Sequence, residues 1–407
     1  MQTQLADWIK GTPEGVEADA ILRKCVHCGF CLATCPTYNL LGDELDSPRG
    51  RIYLMKQMLE GSPVTARTQL HLDRCLTCRA CETTCPSGVE YGRLVDIGRG
   101  LVEAKVPRPP GERFKRWFLA QTLPKRSLFG AALALGRMVR GLLPADLRRK
   151  VPAARPAGAW PAARHARRML VLHGCVQPSM APSIDAAAAR VLDRLGISLV
   201  RVPGSTCCGG VSHHLNYQRE ALDYVRANVD AWWPEVEKGA EAIVFTASGC
   251  GTMVRDYGHL LRDDPAYAAR AARIAELSRD ISEVVAAERT AVSERTRGRA
   301  PQKIAFHSPC SLQHGLKIRG LVEPILADAG FKLTHVHDAH LCCGSAGTYS
   351  ITQPELSKQL LKNKVRSLES GRPELIASAN IGCLAHIQSG TPTPVRHWIE
   401  LLDERME

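Results

Sequence analysis

A run of four cysteines closed by proline, Cys25-Val-His-Cys28-Gly-Phe-Cys31-Leu-Ala-Thr-Cys35-Pro36, returns with identical spacing as Cys75-Leu-Thr-Cys78-Arg-Ala-Cys81-Glu-Thr-Thr-Cys85-Pro86. In this C-x2-C-x2-C-x3-C-P pattern, thiolates hold a cube of four irons and four sulfides. The two short turns bring three sulfurs to three corners. The fourth cysteine lies too far along the chain to close the same cube easily, and in two-cluster proteins it ligates the other cluster. The expectation is two [4Fe–4S] clusters, one on Cys25, Cys28, Cys31 and Cys85, the other on Cys75, Cys78, Cys81 and Cys35. Zinc fits less well, because its four ligands usually come as two separated C-x2-C pairs and would leave the Cys-Pro positions unused. Disulfides suit small secreted chains, whereas this one has 407 residues and its 16 cysteines fall into metal-like spacings.

That length suggests about two or three domains with ample material for a core. Met1-Gln-Thr-Gln-Leu-Ala-Asp lacks the basic and then apolar regions of a signal peptide. No stretch approaches the roughly 18 apolar residues that span a bilayer. The chain is therefore expected in the cytoplasm, soluble or peripheral on the cytoplasmic face of the inner membrane. Its formal charge of +12 is concentrated between Arg93 and Arg168, with 18 Lys/Arg against four acids. Such a segment suits an acidic partner or anionic lipid. Without a nucleic-acid fold motif or interleaved aromatics, nucleic acid is not expected.

Residues 1–24 read as a helical lead-in. Ser47-Pro48 then opens a helix, with serine as N-cap and proline in the first turn, carrying Ile52, Met55 and Leu59 on one face and stopping at Gly61. A second helix through Leu70 and Leu72 leads into Cys75. A helical spacer between the cysteine runs argues for an alpha-helical ferredoxin-type domain over residues 1–103. Arg49, Arg51 and Arg79 stand near the runs, where a guanidinium can raise a cluster's potential, dock a partner or simply be solvated. His27 is read as surrounding a cluster rather than binding it. A basic linker follows over 104–168. In it Leu128, Ala132, Leu135, Val139 and Leu142 form an apolar helical stripe opposite Arg126, Arg137 and Arg140. The stripe is read as facing the protein's own core, with a membrane interface as the alternative.

From Met169 onward the chain is a duplication. Met169-Leu-Val-Leu-His-Gly-Cys175 matches Lys303-Ile-Ala-Phe-His-Ser-Pro-Cys310, Cys207-Cys208-Gly209 matches Cys342-Cys343-Gly344, and Ala247-Ser-Gly-Cys250 matches Asn380-Ile-Gly-Cys383. Each copy alternates strand and helix: Met169–His173, a helix over 183–195, Ile197–Val202, a helix over 216–231, Ala242–Thr246, and again from Lys303. This implies two α/β domains with parallel sheets, over 169–295 and 301–407. The cysteines follow strand C-termini, where open α/β sheets form their sites, so four should converge in each copy. They are read as a metal or redox centre, or as buried thiols packing like small hydrophobes. No G-x-G-x-x-G after a strand and no P-loop is found.

Together these motifs resemble the iron–sulfur subunits of flavin-linked respiratory dehydrogenases, a group that includes heterodisulfide reductase, anaerobic glycerol-3-phosphate dehydrogenase and lactate-utilisation proteins. Within it the chain is most similar to bacterial glycolate oxidase iron–sulfur subunits. That likeness covers nearly the whole chain, through the strings at 25–31, 38–46, 48–54, 72–79, 341–349 and 395–400. It implies an oxidoreductase subunit that passes electrons from glycolate oxidation toward quinone, with FAD only in partner subunits. The alternatives are the equivalent subunit of a lactate or glycerol-3-phosphate dehydrogenase, or a thiol/disulfide reductase. Heterodisulfide reductase relatives close their repeats with C-x2-C, whereas this chain has Met253 and His386 at those positions.

Overall fold

In the computed structural model, residues 1–142, 144, 148 and 151–407 are described. They form two units, one of Met1–Trp117 with His340–Asn363, the other of Phe118–Ala339 with Lys364–Glu407.

The first unit is helical. Helices Pro13–Lys24, Pro48–Leu59, Ala66–Asp73 and Tyr91–Lys105 pack Ile21, Leu22, Ile52, Met55, Leu59, Leu72, Leu94 and Val102 into one core. The helix between the cysteine runs begins as expected: the Ser47 hydroxyl accepts the Gly50 N–H at 2.9 Å, and Pro48 occupies the first turn. That cap orients the helix so that Arg51 points inward with the apolar face.

The second unit holds two four-stranded parallel sheets. The first contains β1 (Arg167–Val171), β2 (Ile197–Arg201), β3 (Ala242–Phe245) and β4 (Ser278–Asp280), in the order β2-β1-β3-β4. The second contains β5 (Gln302–His307), β6 (Phe331–Leu333), β7 (Leu375–Ser378) and β8 (Val395–His397), in the order β6-β5-β7-β8. Strands β3 and β7 are buried along their whole length, which explains why Ala-Ile-Val-Phe and Leu-Ile-Ala-Ser show no polar alternation. In each sheet the chain steps to one side of the first strand and then to the other, leaving a switch point between β1 and β3 and between β5 and β7. The duplicated halves are tied by Arg190 and Arg194, both bonded to the Asp403 carboxylate, and by Ser183 bonded to Glu400.

One helical expectation is corrected. The basic helix, Arg126–Met138, turns its apolar stripe outward: Leu128, Leu135 and Met138 are 49, 58 and 77% exposed. Its inner row is Arg126, Gly130, Leu133 and Arg137. Arg126 donates to the carbonyls of Gly174 and Ser205, Arg137 to those of Pro152 and Ser179, and Arg140 to that of Val151. Loop carbonyls without partners need donors. These guanidiniums supply them, so they are anchors rather than a solvated basic face.

Candidate functional site

The two cysteine runs fold alike. The second residue of each first turn, His27 and Thr77, and the residue after each second cysteine, Gly29 and Arg79, all have positive φ of 50–84°. This left-handed geometry wraps the loop and aims amide hydrogens at sulfur: the Thr77 N–H donates to Cys75 Sγ at 3.4 Å, and the His27 N–H to Cys25. A Cβ at Gly29 would lie 2.8 Å from Arg49 Nη1, a contact the flexible arginine can yield to, and the matching position of the second run is Arg79.

Two adjoining cavities result. The first, of about 430 Å³, is lined by Cys25, Cys28 and Cys31 of the first run and Cys85 of the second. The other, of about 300 Å³, is lined by Cys75, Cys78 and Cys81 together with Cys35. Cys81 and Tyr91 border both. Burial raises the Cys31 thiol to about 11 and Cys81 further, so these groups resist ionisation unless a cation offsets the charge. Four soft sulfurs around an apolar hollow, with amide hydrogens turned toward them, are a donor set suited to an iron–sulfur cluster.

Around the second cavity lies a buried polar network that the sequence signalled only through Arg51. Arg51 is 1% and Asp46 0% exposed. The guanidinium donates to the His71 carbonyl at 2.7 Å, to Thr37 Oγ1 at 3.1 Å, to Asp46 Oδ1 at 3.2 Å and to Cys35 Sγ at 3.9 Å. Arg74 and His71 complete the Asp46 carboxylate at 2.7 and 3.0 Å. The buried Tyr91 hydroxyl donates to Cys75 Sγ at 3.6 Å. Arg49, by contrast, is partly exposed and paired with Glu44, while Arg79 lines the second cavity. His27 lines the first cavity, consistent with a surrounding residue. Tyr91, Thr37 and Asp46 carried no pattern that spacing could have singled out.

In the second unit, the first copy of the repeat brings its four cysteines together at the switch point. Cys175, Cys207, Cys208 and Cys250 form a chain of side-chain hydrogen bonds in that order. A cleft of about 300 Å³ beside them is lined by His173, Cys175, Gln177, Thr246 and Cys250. Arg126 fastens the loops that carry Cys175 and Cys207 through the Gly174 and Ser205 carbonyls. Burial, with Arg126 and Arg201 adding to it, pushes His173 down to about 4, so the imidazole is neutral. Burial also raises Asp185 to about 6, although Gln177 and Thr246 both bond to it. The glycine of Cys-Cys-Gly has a fixed reason: Gly209 has φ 88°, and a Cβ there would lie 2.9 Å from the Ala221 carbonyl oxygen. Gly344, φ 90°, faces the Ser357 carbonyl oxygen at 2.7 Å in the same way. Met253 packs against Gly209 and Gly210. In the second copy, Cys310 and Cys383 belong to the second unit, and Cys342 and Cys343 to the first.

Among the described residues, no helix is long and apolar enough to cross a membrane. Comparison with known proteins identifies a 4Fe-4S dicluster domain over residues 21–89 and a cysteine-rich domain over 169–255 and again over 304–388. Binding of iron–sulfur clusters by the chain follows. It is similar to the glycolate oxidase iron-sulfur subunit of Escherichia coli strain K12, at 54% identity covering all of both chains. It is also similar to the probable glycolate oxidase iron-sulfur subunit of Bacillus subtilis strain 168, at 31% identity over 91% of this chain and 89% of that one. Lactate utilization protein A of an Exiguobacterium strain is 29% identical over 56% of this chain and 94% of its own. With 54% identity over the full length of both chains, the chain belongs to the family of glycolate oxidase iron–sulfur subunits.

Proposed function

We propose that the chain relays electrons from glycolate oxidation, carried out on FAD in partner subunits, toward a quinone or another acceptor. Two [4Fe–4S] clusters do the relaying. Cys25, Cys28, Cys31 and Cys85 hold one; Cys75, Cys78, Cys81 and Cys35 hold the other. The observation that carries this reading is the make-up of the two cavities: each brings three cysteines of one run together with the Cys-Pro cysteine of the other, and Cys81 stands between them in the wall of both. The clusters supply the one-electron chemistry. The residues of the chain bury most of the sulfurs, leave Cys28 exposed and donate hydrogen bonds to the set. The two cavities share the Cys81 and Tyr91 side chains as a common wall, which would hold the two groups side by side.

The exposed Leu128, Leu135 and Met138 support a peripheral seat on the cytoplasmic face of the inner membrane, with the helix lying in the interface. The four thiols of the first repeat copy are read as a further redox centre, one that falls short of a full cube because Met253 stands at the position of a closing cysteine.

One experiment tests the relay. The chain is mixed anaerobically with its flavin subunits and glycolate, and the iron–sulfur signals are followed by electron paramagnetic resonance. Two cubane signals should appear on adding glycolate, and only with the flavin subunits present. Cys85→Ser should alter the signal of the Cys25, Cys28 and Cys31 site while leaving the other intact. Reduction by glycolate without flavin subunits, or a Cys85→Ser change confined to the Cys75, Cys78 and Cys81 site, would overturn the assignment. Reduction by lactate but not glycolate would move the chain to the lactate-oxidising branch.

A further inference from the structure

The two cavities are electrostatically unequal. At the first, the donors to sulfur are backbone N–H groups, from His27 to Cys25 and from Arg49 to Cys31. Its rim is open: Val26 and Phe30 are exposed, and so is Cys28. Arg49, the arginine at its wall, is partly hydrated and already paired with Glu44 at 2.8 Å. Water and that carboxylate screen its charge.

The second cavity receives side-chain donors as well as amides. Tyr91 Oη donates to Cys75 Sγ and Arg51 Nη1 to Cys35 Sγ, while the Thr37 hydroxyl, 3.3 Å from the same sulfur, donates to the Asp46 carbonyl and accepts from Arg51. Four guanidiniums surround it, Arg79 among its lining residues. Arg51 is in contact with Cys35. Arg99, itself buried, donates to the carbonyls of Leu72 and Cys75 at 2.6–3.1 Å, and Arg74 reaches Asp46. Against them stand two carboxylates, the buried Asp46 and Glu82, whose charge acts on Cys81. Reduction adds a negative charge to a centre already held by four thiolates. Hydrogen bonds to sulfur and an excess of buried positive over negative charge favour that addition, and low dielectric magnifies both. Solvent exposure favours reduction at the first site, but by a screened and weaker field.

Building on the two-cluster reading, we infer that Arg51, Thr37 and Tyr91 make the Cys35, Cys75, Cys78 and Cys81 site the electron sink of the pair, and that the exposed site at Cys25, Cys28, Cys31 and Cys85 is the point of entry. The favoured step moves one electron from the first site, which is oxidised, to the second, which is reduced. No bond is made or broken. Arg51 and Tyr91 are positioning residues that act through the sulfurs, and Thr37 holds the Arg51 guanidinium in place by accepting from both of its Nη atoms.

The test is an anaerobic potentiometric titration of the full chain, read by electron paramagnetic resonance, with iron content measured alongside. In wild type, two one-electron signals should titrate at different potentials. Tyr91→Phe, which keeps the ring and its packing, should shift the higher-potential signal downward. Arg51→Met should do so more strongly. Asp46→Asn, which removes the buried negative charge, should shift the same signal upward, and the lower-potential signal should stay in place throughout. Opposite signs at neighbouring residues cannot come from general loosening of the site. If two signals titrate but the lower one responds, or neither does, this inference is overturned while the two-cluster reading stands. A single signal with about four irons would overturn that reading and the inference together.

Discussion

His397 ends β8 and opens the helix Trp398–Arg405, and its ring serves both elements only as a neutral imidazole. Nδ1 accepts the Ile399 N–H at 3.2 Å, and Nε2 lies 2.9 Å from the Thr246 carbonyl, to which it donates. Glu400 completes the cap by accepting the His397 N–H at 3.0 Å. Burial pushes the imidazole down to about 4 from its ordinary value near 6.5. The folded state thus binds a proton less readily than the unfolded chain. The stability this contributes is present above about pH 6.5 and is lost as pH falls toward 4. The full linkage is on the order of 3 kcal/mol. Urea unfolding between pH 7 and 4 should show it. His397→Asn, which retains an N-cap acceptor that does not titrate, is expected to flatten the acid slope; equal slopes in the two proteins would refute the assignment. The string Val-Arg-His-Trp-Ile-Glu stood out in the sequence, but its purpose did not. Capping rules lead with Ser, Thr, Asn and Asp, so a histidine in that place gives no signal until the Thr246 carbonyl is seen opposite it.

The helix Arg126–Met138 shows where periodicity stops being informative. Its apolar stripe and its arginines were both legible in the sequence, but a stripe does not say which side faces the protein. The deciding quantity is the demand of loop carbonyls at Gly174, Ser179 and Ser205, far along the chain from the helix. Strands β1, β2, β3 and β5 were legible to within about two residues, because buried aliphatic runs followed by cysteine leave little else for those segments to be. With its arginines engaged inward, the helix offers Leu128, Leu135 and Met138 as the contact for the proposed peripheral seat on a bilayer. Binding to vesicles should therefore survive high salt, since apolar burial is not screened. Replacing these three residues with serine should abolish vesicle binding and leave the thermal midpoint within a degree or two, because exposed side chains contribute little to folding. Release of the wild-type chain by salt would count against this, and so would a large loss of thermal stability in the triple variant.

At the scale of the whole chain, two cubes require about eight irons, and the thiols of the first repeat copy add none if Met253 leaves that centre incomplete. Anaerobically purified protein should carry about that amount. Cys207→Ser with Cys208→Ser should leave iron unchanged yet slow electron delivery to the acceptor severalfold. Iron well above this value that falls in the double variant would show a further cluster there; unchanged electron delivery would show inert thiols. The cysteine spacing announced both the dicluster region and the repeats, yet it gave no sign that residues 340–363 join the first unit rather than the second. Part of what holds them is the Tyr349 hydroxyl, which donates to the Arg74 carbonyl at 3.0 Å across 275 residues of sequence. This connection sets an order of events during synthesis. The ribosome releases the first 117 residues long before the segment that completes their unit. Until that segment emerges, the helical unit lacks residues 340–363 and the bond from Tyr349 to the Arg74 carbonyl beside Cys75. A fragment cut after Trp117 would lack them permanently, although both cysteine runs lie within it.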